Sequence, residues 1–210
     1  SIDKNPKIQE ESLYDLGRLS FEVGNYDSAI EFLKQYTSLS NVVYKKARAE
    51  SFIANSYTKI NDLDLAINYI ESLSKLTKEI KETYQLVTLN KGIELFNKHN
   101  FLKAKTYFTK SLKYIINQNN LVAARYWRGE CKSLERKWKE ASWDYAEVLK
   151  KASKSESLYK KAHYGLAYTY FNRKEYKKAK KHFSSYIKIE TKGSFYGNAL
   201  LRLADCYFKE

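Results

Sequence analysis

The chain has 210 residues, of which 43% are hydrophobic and 30% charged, and its formal net charge at pH 7 is +14. One proline, seven glycines and two cysteines exclude a disordered chain and a disulfide scaffold, and the abundance of Lys, Glu, Ala and Leu favours helix. No apolar run approaches the roughly 18 residues of a membrane span, and no secretory leader pattern opens the chain. Because the chain begins at Ser1 and contains no Met, we expect a processed product or a fragment of a longer protein.

Small residues recur at a fixed period along the chain. The first series is Gly17, Ala54, Gly92, Gly129, Ala167 and Ala204, and the second is Ala29, Ala66, Ala104, Ala141 and Ala179. Both series advance in steps of 37 or 38 residues, and each member of the second lies twelve residues after its partner in the first. Two series with one shared period of this length predict a solenoid of repeated helical units. We expect the small residues where two helices cross closely, since a larger side chain would overpack there.

Apolar residues at steps of three and four predict two helices in every repeat. In the fifth repeat, His163, Ala167 and Tyr170 share one helix face, and after a short break Ala179 and Phe183 share a face of the next helix. In chain order the predicted helices are 10–23, 26–38, 42–60, 62–76, 80–98, 101–117, 120–136, 138–152, 156–173, 176–190 and 195–209. The links are short, so consecutive helices should be antiparallel neighbours.

Local motifs accompany the small residues. Residues 13–17 read Leu-Tyr-Asp-Leu-Gly, residues 24–29 read Gly-Asn-Tyr-Asp-Ser-Ala, and residues 165–170 read Gly-Leu-Ala-Tyr-Thr-Tyr. Three residues before each alanine of the second series stand Tyr26, Leu63, Phe101, Trp138 and Tyr176. In these motifs the chain resembles the tetratricopeptide repeat (TPR) family. It departs from the family in its longer period and in lacking the proline that often ends the second helix.

The resemblance implies an all-α, right-handed α-solenoid of about 5.5 antiparallel helix pairs, forming a single domain over residues 1–210. The expected units are 10–41, 42–79, 80–119, 120–155 and 156–194, with a half unit at 195–210. The fold alone hosts many functions, so the class of protein that it implies is a scaffold that binds other proteins, and the partner stays open.

The same resemblance indicates where a partner would bind. In TPR folds the first helices of successive repeats line a concave groove, and aromatic and Arg side chains often anchor bound peptides. The predicted groove residues are Tyr14, Arg18, Phe21, Leu89, Ile93, Phe96, Tyr126, Lys161, Tyr164, Tyr168 and Phe171. The alternative is that these side chains are buried between neighbouring first helices.

No motif indicates catalysis, a cofactor or a metal site. His99, His163 and His182 are not spaced as metal ligands, either among themselves or with a cysteine, and neither a phosphate-binding loop nor a nucleophile motif occurs. Cys131 and Cys206 occupy equivalent positions two repeats apart. Stacked repeats contact mainly their neighbours, so we expect two buried free thiols and no disulfide. The protein is therefore predicted not to be an enzyme.

The charge distribution leaves a second function open. Residues 122–196 carry 19 Lys and Arg against 8 Asp and Glu, a net charge of +11. Such a basic region can bind nucleic acid or an anionic surface through counterion release. We rank this function below protein binding, because the densest basic run, Arg173–Lys181, is predicted on an outward-facing second helix.

The Lys-, Asn-, Ile- and Tyr-rich composition resembles that of many-repeat TPR proteins of the Bacteroidota cell envelope. That resemblance implies a periplasmic or outer-membrane-associated protein, with a cytoplasmic location as the alternative.

Overall fold

The structure is a computed structural model that describes residues 6–210. Within this range it contains eleven α-helices and no strand. The helices are α1 (Pro6–Glu22), α2 (Tyr26–Leu39), α3 (Val43–Lys59), α4 (Leu63–Ser72), α5 (Lys78–Asn97), α6 (Phe101–Ser111), α7 (Gln118–Leu134), α8 (Trp138–Lys151), α9 (Ser157–Asn172), α10 (Tyr176–Ile189) and α11 (Tyr196–Lys209). The predicted all-α class is confirmed. By its internal contacts the chain divides into two compact units, residues 1–90 and 91–210.

Helices pack in chain order within each unit. In the first unit α1 packs against α2, α2 against α3, and α3 against α4; in the second, each helix from α6 to α11 packs against the next. First helices also meet in the pairs α1–α3, α7–α9 and α9–α11. This nearest-neighbour order is the packing of an α-solenoid, in which each repeat buries its apolar faces against adjacent repeats.

Two second helices are shorter than the sequence predicted. Helix α4 ends at Ser72, four residues before the expected 76, and α6 ends at Ser111, well before the expected 117. The cause is the cap of the following helix. The Thr77 hydroxyl accepts a hydrogen bond from the Ile80 N–H, and the Asn117 side chain accepts from Asn119 and Asn120. A capping residue has non-helical backbone angles, so the chain must leave the preceding helix earlier.

The turn inside each repeat has one fixed backbone geometry. At steps of 37 or 38 residues, Gly24, Asn61, His99, Arg136 and Lys174 have positive φ angles, between 57° and 82°. The residue after each donates its N–H to the carbonyl five positions earlier, for example Glu175 to Tyr170 at 3.0 Å. This is the Schellman closure of a helix C-terminus. It directs the chain straight into the second helix, whose first residue is the large apolar residue recognised in the sequence.

Replacing Lys174 by Gly should therefore stabilise the protein. Lys174 is exposed and has φ 62°, and left-handed backbone costs a non-glycine residue roughly 1–2 kcal/mol. After the entropic cost of glycine is subtracted, we expect a gain of about 0.5–1 kcal/mol in the free energy of unfolding by urea titration. The matched control is Lys181→Gly, at an exposed position inside α10, which should lose about 1 kcal/mol. Equal losses in both variants would contradict this account of the turn.

In the five complete repeats a large side chain of the second helix follows a small residue of the first helix by sixteen residues. The small residues are the first five of the first series, and the large side chains are Leu33, Ile70, Phe108, Tyr145 and Phe183. All five are at most 1% exposed. At Gly92 a Cβ atom would come within 2.5 Å of the Phe108 ring, and at Gly129 within 3.0 Å of the Tyr145 ring. The inserted rings therefore leave little room for a Cβ atom at these two positions.

We expect Gly92→Ala to destabilise the protein by about 1–3 kcal/mol, the usual cost of overpacking, because the new methyl group collides with Phe108. The measurement is thermal or urea unfolding followed by circular dichroism. Gly197→Ala provides the control, since Gly197 also lies in a helix and a Cβ there meets nothing within 4 Å. That variant should gain up to about 1 kcal/mol from helix propensity. The same sign of change at both positions would refute the packing argument.

Candidate peptide-binding surface

The first helices form the more closely spaced layer of residues 118–210. Cα atoms of α7 and α9, and of α9 and α11, approach within 8 Å, whereas the second helices α8 and α10 make no such approach in this part of the structure. A stack that is closer on one side curves towards that side. The surface formed by α7, α9 and α11, called here the first-helix surface, is therefore the inner one.

Three of the predicted groove residues lie in the core. Tyr14 is 7% exposed, Leu89 4% and Tyr126 6%, and the Tyr14 ring packs 5.1 Å from the Tyr36 ring. This corrects the prediction that they line an open groove. Their helix position faces the second helix as much as the groove, so they hold the repeat together.

Three further predicted rings connect the repeats. Each lies edge-on to the first residue of its own second helix, in the pairs Phe21–Tyr26 (5.6 Å), Phe96–Phe101 (5.1 Å) and Phe171–Tyr176 (5.6 Å). Each also meets the next first helix, in the pairs Phe21–Phe52 (5.0 Å), Phe96–Trp127 (5.0 Å) and Phe171–Arg202 (5.2 Å). All three are half-buried. These contacts give the rings a packing role between repeats. This role agrees with the alternative that the predicted groove side chains are buried between neighbouring first helices.

On each first helix, one position lies between the buried residue equivalent to Tyr14 and the ring position equivalent to Phe21. The side chain at this position is half-exposed in all five complete repeats. It holds Arg18, Asn55, Ile93, Glu130 and Tyr168. In the first unit, Arg18 donates to Glu22 at 2.6 Å and Asn55 accepts from the Thr83 hydroxyl at 2.8 Å, so both side chains have partners within the unit. In the second unit, Glu130 and Tyr168 lie on the adjacent helices α7 and α9.

Glu130 is a carboxylate held by tyrosines. The Tyr145 hydroxyl, carried from α8 between Gly129 and Gly165, donates to Glu130 at 2.6 Å, and Tyr126 also hydrogen-bonds this carboxylate. Burial raises the pKa of Glu130, while the two hydroxyls and the nearby Lys161 ammonium act in the opposite direction. Because Gly129 and Gly165 have no side chains, the Tyr145 ring of α8 can pass between α7 and α9. Its hydroxyl then orients the Glu130 carboxylate on the first-helix surface. The sequence analysis did not place Glu130 among the groove residues.

Tyr164 and Tyr168 form a stacked pair on α9. Their ring centroids lie 6.2 Å apart with planes at 25°, and both rings are half-buried. Tyr164 also stacks on Phe195 at 4.7 Å and donates its hydroxyl to Asn198 at 3.0 Å. Burial raises the pKa of Tyr164 to about 12, so the hydroxyl remains a donor at neutral pH. Lys161, one turn earlier, is exposed.

Helices α9 and α10 bring two histidines together, which the sequence did not predict. The Nδ1 atoms of His163 and His182 are 3.1 Å apart, so one ring donates to the other and at least one is neutral. Burial lowers the pKa of both, that of His182 to about 4, where His163 and Lys181 add to the effect. Residues 6–210 supply no group of three or more His, Cys, Asp or Glu side chains placed to hold a metal ion. Cys131 and Cys206 are free and buried.

The histidine pair should make stability fall with acidification below about pH 6.5. The folded protein keeps His182 neutral down to about pH 4, whereas an unfolded chain protonates it near pH 6.5. The unfolded state therefore binds more protons between pH 6.5 and 4, so acidification through this window favours unfolding. Melting temperatures across it should fall more steeply for the wild type than for His182→Gln. The control His99→Asn, in an exposed turn, should keep the wild-type slope, and parallel curves for all three proteins would exclude the effect.

Two models of the tetratricopeptide repeat family match the chain, one over residues 10–42 and one over residues 161–189. These segments are the first repeat and most of the fifth, and helix pairs of the same kind occupy the residues between them. Two segments of the chain thus match the tetratricopeptide repeat family, and the described helices pack in the order of an α-solenoid. No curated protein matches it in sequence.

Solved structures share the fold at low sequence identity. YrrB, described as a TPR protein with an unusual peptide-binding site, matches with a TM-score of 0.55 and 19% identity, over 95% of this chain and 98% of its own. The pilF protein of Pseudomonas aeruginosa matches with a TM-score of 0.52 and 13% identity, over 98% and 87%. A tetratricopeptide repeat protein from Parabacteroides merdae matches with 0.51 and 18%, over 96% and 73%. At these identities the likeness shows the fold alone.

Proposed function

We propose that this protein is a non-catalytic scaffold that binds a peptide or protein segment on its first-helix surface. The observation that carries the proposal is the half-exposed Tyr164–Tyr168 stack beside the Glu130 carboxylate and the Lys161 ammonium. Of the other predicted groove residues in α7 and α9, Tyr126 is buried and Phe171 packs between repeats. Only Lys161, Tyr164 and Tyr168 of that set therefore remain open to a partner. The proposed site therefore lies on α7 and α9, with α11 as its far wall.

The chemistry of this surface suits an extended peptide. Tyrosine offers a large apolar contact at low cost in conformational entropy, together with a hydroxyl for hydrogen bonding. Glu130 is fixed by Tyr145, so it can accept from a peptide N–H or a basic side chain without first being ordered. Lys161 offers an opposite charge one helix away. Preorganised groups of this kind reduce the ordering cost of binding.

YrrB supports the proposal by fold, since that protein is described as having a peptide-binding site on the same architecture. The peptide that this chain would bind is a separate question. A surface with one acceptor, one ammonium and two rings selects for a segment that combines an apolar residue with charges of both signs.

The proposal can be tested by selecting peptides from a random phage-displayed library on the wild-type protein. Selected peptides should lose affinity by about tenfold or more, roughly 1.4 kcal/mol, for the double variant Lys161→Ala, Tyr168→Ala. Isothermal titration with synthetic peptides measures the change, and circular dichroism checks that helicity is retained.

Trp143→Ala is the matched control. Trp143 is a ring on the second helix α8 and is 53% exposed, so its removal should leave affinity within about twofold of wild type. Peptides that bind the double variant as tightly as the wild type, or a selection that yields no binder, would reject the first-helix surface as the binding site.

Nucleic-acid or anionic-surface binding through residues 122–196 remains the second candidate. Its basic run on α10 is partly paired within the chain, with Lys178 bound to Glu175 at 2.7 Å and Lys180 bound to Glu210. Trp127 packs on Phe96, which occupies a ring that could otherwise stack on bases. These contacts favour the peptide proposal.

We also propose a periplasmic or outer-membrane-associated location, on the resemblance in composition and period to cell-envelope TPR proteins. No helix within residues 6–210 has the length and apolar character that crossing a bilayer requires. Fractionation of cells that express the full-length protein, followed by immunoblotting, tests the location.

A further inference from the structure

Helix α11 carries an open apolar face. Gly197, Leu201, Ala204 and Phe208 follow one another at steps of three and four residues, which places them in one stripe along the helix, and all four are exposed. Leu201 is 59% exposed and Phe208 is 92% exposed. The opposite face, which includes Cys206, is buried in the core of the second unit. A monomer therefore leaves about three turns of apolar helix surface in water.

Ala204 is the member of the first small-residue series that is exposed. The other five members, Gly17, Ala54, Gly92, Gly129 and Ala167, are buried. At Gly92, for example, the Phe108 ring of the second helix covers the position. No helix within residues 6–210 brings such a side chain to Ala204. Helix α11 thus presents, unoccupied, the contact that closes the other repeats.

The stripe alternates small and large residues in an order that complements itself. Leu201 and Phe208 are seven positions apart, and so are Gly197 and Ala204. When a second α11 runs antiparallel with its Ala204 opposite Leu201, its Gly197 therefore falls opposite Phe208. Each large side chain then meets a small residue of the other helix, which lets the two helices interdigitate. A surface that is complementary to itself is what a two-fold symmetric dimer requires.

The two sides of the stripe also match under this symmetry, which brings each side against the same side of the second copy. On one side lie Leu200 and Tyr207, both exposed, and the pairing sets Tyr207 of each copy beside Leu200 of the other. On the other side Arg202 is ion-paired with Asp205 at 2.9 Å. The pairing sets Arg202 of each copy beside Asp205 of the other, so opposite charges meet across the contact.

The available area indicates a weak dimer. Burial of the exposed parts of the large apolar side chains of α11 removes roughly 500 Å² per copy from water, or about 1,000 Å² in total, near the lower limit for a specific interface. The basic region, residues 122–196 with a net charge of +11, opposes association at long range, and salt screens this repulsion. Dilute solutions therefore contain monomers, and salt strengthens the dimer.

We propose that α11 pairs with α11 of a second copy of this chain in an antiparallel, two-fold symmetric dimer. Asp205 occupies the sequence position of Glu130 and Tyr168 in the preceding repeats, so the side of α11 that carries Arg202 and Asp205 adjoins the first-helix surface. The dimer thus sets two first-helix surfaces side by side. A partner that carries two bound segments would gain affinity from their linkage. The dimer itself does not depend on the proposed peptide binding.

The test is sedimentation velocity of the 210-residue chain. We expect a reversible monomer–dimer equilibrium with a Kd of about 10–100 µM, tighter at higher salt. Leu201→Ala removes the large side chain, and Ala204→Leu places two leucines opposite each other, so each should weaken the dimer about tenfold or more. The double variant that exchanges them, Leu201→Ala with Ala204→Leu, again sets large against small. It should recover the wild-type Kd to within about threefold.

The control is Leu102→Ala, at an exposed leucine of α6, which should leave the Kd within about twofold of wild type. A monomeric mass at every concentration, an exchange variant that fails to dimerise, an equal loss in Leu102→Ala, or a dimer that weakens as salt rises would each overturn the proposal. Circular dichroism of every variant excludes unfolding as the cause of a loss.

Two further measurements address other occupants of the open face. A chain that stays monomeric but binds vesicles containing phosphatidylglycerol, and loses this binding in Leu201→Ala, would assign the face to a membrane surface and reject the dimer. A full-length protein that stays monomeric where the 210-residue chain dimerises would assign the face to another segment of the same protein.

Discussion

The repeat depends on one contact, between a large side chain of the second helix and a small residue of the first. Leu33 on Gly17 and Phe108 on Gly92 show it in its closest form. The contact fixes how near the two helices approach, and therefore where the remaining faces of the first helix point. One of these faces packs on the next repeat and the other stays partly open to solvent. Within residues 118–210 the first helices α7, α9 and α11 are neighbours, so their open faces lie on one side.

The number and order of the helices could be predicted from the sequence because residues within one repeat determine them. The small-residue period, the apolar residue that begins each second helix and the short turn all act within one repeat. The ends of α4 and α6 could not be read in this way. Their apolar pattern continues past Ser72 and Ser111, but Thr77 and Asn117 cap the next helix, and the geometry of the cap overrides the helix-forming tendency of the residues before it.

The binding surface was only partly predictable, because neighbouring positions of a first helix differ by small rotations. Tyr126 and Tyr164 are equivalent in sequence, yet Tyr126 is buried and Tyr164 is half-exposed. Both rings pack on the equivalent second-helix ring, Tyr126 on Tyr145 at 6.0 Å and Tyr164 on Phe183 at 6.1 Å. Tyr164 also meets Phe195, which precedes α11. Such long-range neighbours, like the contact between His163 and His182, have no signature in a local pattern.

The clusters of charged side chains were also only partly predictable from the local sequence. The densest lysine run in the sequence lies on α10, where the side chains are largely solvated or paired with Glu175 and Glu210. A cleft lined by Lys105, Lys110, Arg128 and Lys132 takes these cations from α6 and α7, and no short window of sequence contains them. One local sign of it was present, since Asp144 falls on the buried face of α8 between Ala141 and Tyr145. A carboxylate on such a face requires cations from elsewhere, and the cations that Asp144 gathers exceed its own charge.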